Sequence, residues 1–337
     1  MAPPVPGIKV NENGIPDFED LPLRKGDPHL SAWGLYGDKD ELGTLNRLTD
    51  ERVAAAAKSE IRTGHRISLN WPLDAQPEES FFARQVFHQQ LIRKDPRTVN
   101  DDVWTFNSQV STQWDGLRHF AYQREKLFYN GVTQDDIHGP GPDGKKSTVN
   151  GIHAWTNQGI VGRGILLDHH SWRKSQPSLP PYDPFSAVSI PYSELLACLA
   201  AQNTVPRFGD ILFIRSGFHS TLPLKPPSFI ASHRSVVPHH FGGVERSPEI
   251  LKWIWSTFSA VAGDQPSFES WPAPPDAPYA LHEVLLAGWG CPIGELFDLE
   301  ALSEHCKKEG RWSFFVSSEP CNVPGGVASP PNVLAIF

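Results

Sequence analysis

Several protein classes are excluded by what this chain lacks. It has four cysteines and one methionine in 337 residues. Cys198, Cys291, Cys306 and Cys321 form no C-x-x-C pair. In a chain of this length that spacing reads as four buried or inert thiols, not a disulfide framework or a zinc knuckle. No apolar run approaches the ~18 residues of a membrane span; the best, around Leu195–Ala201, is short and follows Glu194. Positive charge is also scarce, with 30 Lys and Arg against 38 Asp and Glu, a formal −8. Nucleic acids and anionic membranes want a basic face, so neither is expected as a partner. The opening residues MAPPVPGIKVNENG lack the charged-then-apolar layout of a signal peptide, so a soluble, cytoplasmic protein is expected. Walker and G-x-S-x-G patterns are missing too. Nucleotide binding and serine-hydrolase chemistry on those templates therefore have no support.

What is present points to a large buried core. Eleven Trp and 19 Phe contribute to a hydrophobic fraction of 39%, which excludes a disordered chain. Thirty-two prolines and 27 glycines make it loop-rich. Residues 1–30 read as an irregular arm with a loose tail. Short apolar runs at Arg66–Asn70, Gly164–Asp168, Asp210–Arg215 and Ser259–Ala262 read as buried strands. Helical spacing appears at Asp50–Lys58, Tyr192–Ala201, Ser247–Thr257 and Leu281–Ala287, with Asp50, Ser193 and Ser247 as candidate N-caps. Pro248 suits a first helical turn. Alternating strands and helices predict one α/β domain over 31–337, with a central, largely buried mixed β-sheet flanked by helices.

Two segments could carry chemistry. The first runs Gln109-Val-Ser-Thr-Gln-Trp-Asp-Gly-Leu-Arg-His119. Asp115 and His119, four apart, converge if a turn or helix begins at Asp115, and His119 can then shuttle protons near neutral pH. Alone, such a pair is more often a helix cap with a surface histidine. The second holds His282, at the start of an apolar helix stopped by Gly288 and Gly290, and Glu295, after a turn set by Pro292 and Gly294. With Asp115 these supply an Asp–His–Glu set suited to zinc or manganese. His169 and His170, the loop with His233, His239 and His240, and Arg215 are weaker candidates.

These segments, in this order, resemble the cyclase-like, metal-dependent hydrolases that include bacterial kynurenine formamidase and isatin hydrolase. The family signature H-x-G-T-H-x-D-x-x-x-H falls on Gln109–His119, a later D-x-P-S segment on Asp264–Ser267, and its His–Glu pair on His282 and Glu295. The run Thr-Gln-Trp-Asp-Gly-Leu-Arg-His is similar to a fungal-type branch. The resemblance spans about residues 60–305 and implies a small-molecule hydrolase. Its substrate would be a cyclic amide, lactone or N-acyl aromatic, and the abundant Trp and Phe, among them Trp114, Trp271, Phe81 and Phe82, suggest a flat aromatic or polyketide-like body.

The resemblance also implies Asp115, His282 and Glu295 as ligands of one Zn or Mn ion, and Asp115, His119 and Gln113 as catalytic groups. Gln109, Thr112, Trp114, Arg118 and Trp271 would contact substrate, and the chain would form a homodimer or tetramer. The departure is that Gln109 and Gln113 stand where the family has its first two histidine ligands. Carboxamide oxygen binds zinc more weakly than imidazole. Metal-free operation, as a cyclase, dehydratase or isomerase of a secondary metabolite using His119 as general acid or base, is therefore the alternative expectation.

Overall fold

The four apolar runs of the sequence become strands of one nine-stranded sheet, and five further segments supply the rest. The computed structural model describes residues 8–141, 143–274 and 277–337. Residues 1–7 of the expected arm, Pro142, Pro275 and Asp276 lie outside the described residues. In chain order the sheet contains β1 (Arg66–Ser68), β2 (Gln113–Asp115), β3 (Ile160–Leu167), β4 (Asp210–Ile214) and β5 (Phe258–Gly263). Then come β6 (Ile293–Glu295), β7 (Ser313–Ser318), β8 (Ala328–Ser329) and β9 (Leu334–Ile336). Their order across the sheet is β1-β9-β7-β3-β4-β5-β6-β2-β8.

The sheet is mixed, as the sequence predicts. The pairs β3–β4, β4–β5 and β5–β6 are parallel, and the remaining pairs are antiparallel. Parallel strands covered on both faces read as unbroken apolar runs, and β4 and β5 are buried along their whole length. The main helices α1 (Asp50–Glu60) and α2 (Tyr192–Ala201) pack on β3, and α3 (Pro248–Thr257) packs on β5. Ser247 caps α3 by accepting from the Ile250 N–H at 3.3 Å, with Pro248 in its first turn.

The structure corrects several local expectations. Thr49, not Asp50, caps α1, because Asp50 already lies inside the helix and Thr49 accepts from the Arg52 N–H at 3.4 Å. Pro191 precedes α2, so Ser193 caps nothing. Pro292 and Gly294 do not make a turn: Gly294 is the middle of β6, where a Cβ would come within 2.6–2.8 Å of Phe297, Ala262 and Trp114. Cys321 is exposed, while the other three thiols are buried. The described part of the arm is irregular yet pinned: Ile15, Leu21 and Leu30 are buried, and Trp289 Nε1 donates to the Leu30 carbonyl at 2.7 Å.

One buried carboxylate fixes the turn after β4. Asp264, just past β5, accepts the backbone N–H groups of Ser216, Gly217 and Phe218 at 2.6, 2.9 and 2.9 Å. Asp264→Ala would strand three buried donors, so it is expected to lower unfolding stability by about 2–3 kcal/mol. Urea unfolding checks this. A loss below about 0.5 kcal/mol would mean that the turn finds other acceptors.

Candidate active site

Two antiparallel neighbours, β2 and β6, deliver most of the site. Glu295 pairs with Gln113, Gly294 with Trp114 and Ile293 with Asp115. Because side chains alternate along a strand, Gln113 and Asp115 share one face with Glu295, and Trp114 points to the other. Gln113 Nε2 donates to Glu295 Oε2 at 2.9 Å. Asp115 is fully buried. After it the chain turns, closed by a 3.0 Å bond from the His119 N–H to the Gly116 carbonyl. That turn, rather than a helix, carries His119 back so that its Nε2 lies 3.7 Å from Asp115 Oδ2. Gln109 Nε2 donates to Asp115 Oδ1 at 2.7 Å and lies 3.2 and 3.3 Å from the two ring nitrogens of His119.

His282 arrives from the opposite side. The segment expected as an α-helix is a π-helix over Glu283–Gly288, with His282 as its N-terminal flank. π-Helical turns are rare and recur at functional sites. Its end needs glycine: Gly290 has φ +64°, and a Cβ there would meet Gly43 Cα at 2.7 Å. Glu269 accepts from His282 Nδ1 at 2.6 Å, which fixes the tautomer and turns Nε2 toward the cluster. Nε2 lies 3.2 Å from Glu295 Oε1 and 3.9 Å from Asp115 Oδ2.

Burial and mutual charge set the protonation states. Burial, and then the neighbouring Asp115 charge, push the Glu295 carboxyl upward. Burial also raises the Asp115 carboxyl, against the pull of Arg84, His282 and the Gln109 hydrogen bond. His119 is pushed down to about 3 by burial, with the positive charges of His282 and Arg84 acting in the same direction. For His282, burial opposes protonation, but Glu269 and Glu295 outweigh it and raise the imidazole well above its ordinary range.

The donor set suits a single cation. Asp115, His119 and His282 each offer one ligand atom, and these atoms lie within 4.8 Å of one another. Ligands at ~2.1 Å in a tetrahedron sit about 3.4 Å apart, close to the spacings found. Asp115 Oδ2, between the two histidines, and Gln113 Oε1 are buried with no hydrogen-bond partner, and an orphaned carboxylate oxygen in that position fits a cation ligand. Glu295 stands next to this set, its Oε1 also accepting from the Phe268 N–H at 3.0 Å.

A cavity of about 190 Å³ opens over the cluster, with His119, His282 and Glu295 at its base. Phe82, Phe120 and Trp271 supply aromatic walls, and Arg84, Pro266 and Ser267 complete the lining. A larger cavity, about 780 Å³, lies beside Arg246 and Tyr279 and touches none of the cluster residues.

Several sequence candidates sit elsewhere. Trp114 is buried on the far face against Phe297, with Nε1 donating to Ser318 Oγ at 2.9 Å. Arg118 donates to the backbone carbonyls of Val149, Ser147 and Gly325, which occupies its guanidinium. Thr112 Oγ1 donates to the Leu296 carbonyl at 2.6 Å and accepts from the Trp71 N–H at 2.7 Å, a backbone clamp. Arg215 pairs with Asp168 and Glu300, and buried His169 with Glu194. The side chains of Trp114, Arg118 and Thr112 therefore face protein, not the cavity. Gln109, Gln113 and Trp271 do reach the site.

Residues 46–270 match the Cyclase family model. A crystal structure described as a novel cyclase is 31% identical with TM-score 0.77, covering 91% of this chain and 99% of that one. Isatin hydrolase A from Labrenzia aggregata, bound to benzyl benzoate, is 14% identical with TM-score 0.54, covering 87% and 98%. Its counterpart from Ralstonia solanacearum is also 14% identical, with TM-score 0.53 and coverage of 86% and 98%. The two isatin hydrolases share the fold. No protein of curated function matches the chain.

Proposed function

Because this chain belongs to the Cyclase family, we propose that it is a hydrolase, with residues 31–337 as its catalytic domain. Its substrate is a small cyclic amide, lactone or N-acyl aromatic. The observation that carries this reading is the convergence of Asp115 Oδ2, His119 and His282 Nε2 beneath an aromatic cavity, with Asp115 Oδ2 left unbonded. Of this group Asp115 and His282 hold the cation; Glu295 Oε1, 3.2 Å from His282 Nε2, completes the set and leaves His119, on the cavity side, for proton transfer. A zinc or manganese ion there supplies Lewis acidity beside the reacting carbonyl.

The rest is performed by the chain. His119, uncharged at neutral pH, takes a proton from the attacking water and passes it to the leaving nitrogen or oxygen. Gln109 and Gln113 hold the two carboxylates in place by donating to them. Phe82, Phe120 and Trp271 stack a planar substrate and exclude bulk water.

The test is a hydrolysis screen of cyclic amides, lactones and N-formyl anilines, run with elemental analysis of the purified protein. Hydrolysis of one class, lost on chelation and restored by zinc or manganese, is the expected result. No hydrolysis of any class with both metals supplied would sink the reading.

A second reading has its own support. Both glutamine amides already donate to the acids, the bonding that would hold this cluster without a cation. A metal-free cyclase, dehydratase or isomerase acting through His119 would then keep full turnover after chelation.

A further inference from the structure

One cation beside the cavity is left over by this chemistry. The other arginines near the centre of the fold spend their guanidinium groups on protein: Arg118 on three backbone carbonyls, Arg215 on Asp168 and Glu300. Arg84 does not. Its Nη1 donates to the Gln109 carbonyl at 2.7 Å, and among the described residues it makes no ion pair. An arginine offers five N–H donors in a fixed fork that matches a carboxylate. Arg84 lines the cavity beside His119 and Trp271, and its charge bears on Asp115, His119 and Glu295.

The loop that presents Arg84 is built at a cost. Phe82 and Ala83 have φ of +62° and +51°, a region that aromatic and β-carbon-bearing residues rarely adopt. Backbone of this kind persists where its surroundings over-determine it, and it gathers at ligand clamps. Here the Phe81 N–H donates to Gln76 Oε1 at 2.9 Å and Ser80 Oγ to the Arg84 carbonyl at 2.5 Å. Phe81 is buried against Phe218 and Phe241. The guanidinium lies 5.3 Å from the Phe82 ring centroid, so ring and charge are offered as one rigid unit. At about 190 Å³ the cavity is smaller than the ~300–1,000 Å³ of drug-sized sites, which leaves room for one ring and a small substituent.

We propose that Arg84 is a specificity-determining residue that pairs with the carboxylate of a planar, single-ring aromatic ligand stacked on Phe82. This rests on the hydrolase reading for its setting, but its test does not require turnover. Binding of sodium benzoate and of benzamide, equal in shape and different in charge, is measured by calorimetry on the wild-type protein, Arg84→Met and Arg84→Lys. The wild type is expected to prefer benzoate by at least about tenfold, the scale of a charge-assisted hydrogen bond. Arg84→Met loses that preference with benzamide binding unchanged, and Arg84→Lys restores part of it.

Equal benzoate binding by wild type and Arg84→Met overturns the proposal, as does failure of the wild type to bind benzoate. A benzoate preference in a protein that hydrolyses nothing keeps this inference and rejects the hydrolase; hydrolysis with benzoate binding indifferent to Arg84 does the reverse. If turnover is found, the source of the charge follows. Arg84→Met raises KM for carboxylate-bearing substrates when the substrate carries it, and relieves only product inhibition when the product does.

Discussion

Asp115→Asn is expected to lower turnover at least about a thousandfold while the protein folds normally. Asparagine keeps the shape and still accepts from Gln109 Nε2 through its side-chain oxygen, the contact that Oδ1 makes at 2.7 Å. What it removes is the charge on Oδ2, the buried atom with no hydrogen-bond partner, which lies 3.7 Å from His119 Nε2 and 3.9 Å from His282 Nε2. A cation held there loses its charged oxygen ligand, so elemental analysis should find the metal gone or much depleted. Stability moves the other way. Burial raises the Asp115 carboxyl, and its charge in turn raises that of Glu295. Neutralising one member of this pair removes a repulsion, so the chelated variant should unfold at the wild-type temperature or above it, the usual trade between stability and activity at a charged site. A variant that keeps turnover within tenfold of wild type would refute the role given to Asp115.

The site was partly legible in the sequence because its chemistry is carried by residue types that rarely sit inside apolar runs. Asp115, His119, His282 and Glu295 stand out in that way, and the structure brings the four together from segments up to 180 residues apart. The strands β3, β4 and β5 were readable because parallel strands buried on both faces have no polar alternation to confuse with a loop, whereas β2 and β6, which deliver the site, are three residues each and carry no such run. What could not be read was direction. Spacing puts Trp114 and Arg118 next to Asp115, but strand alternation sends Trp114 to the opposite face, and the following turn delivers Arg118 to three carbonyls. Glu269 was missed because nothing local ties it to His282, thirteen residues later; only the 2.6 Å contact does. Arg84 was missed because its placement depends on a loop with positive φ at two ordinary residues, Phe82 and Ala83, where no glycine announces the bend.

His119→Ala separates proton transfer from cation binding. The imidazole lies within cation-ligating reach of Asp115 and His282, and it also faces the cavity with about a fifth of its side chain exposed, while Asp115 is sealed. A group that must meet substrate or water has to be reachable, and a ligand need not be. Burial, the His282 charge and the Arg84 charge hold His119 down at about 3, so it rests as the neutral imidazole and takes a proton only as one is released at the reacting centre. Its removal should lower turnover by about 10²–10⁴, the range of a positioned acid–base group. Asp115, His282 and Glu295 should retain the metal. Because His119 is already deprotonated well below pH 6, the wild-type profile should show no activity loss centred near the ordinary histidine value of about 6.5. Small added bases such as imidazole should return part of the turnover of the alanine variant, which has a vacated space open to the cavity. Metal lost together with activity, and no rescue by imidazole, would instead make His119 a ligand and leave the proton-transfer role to another group.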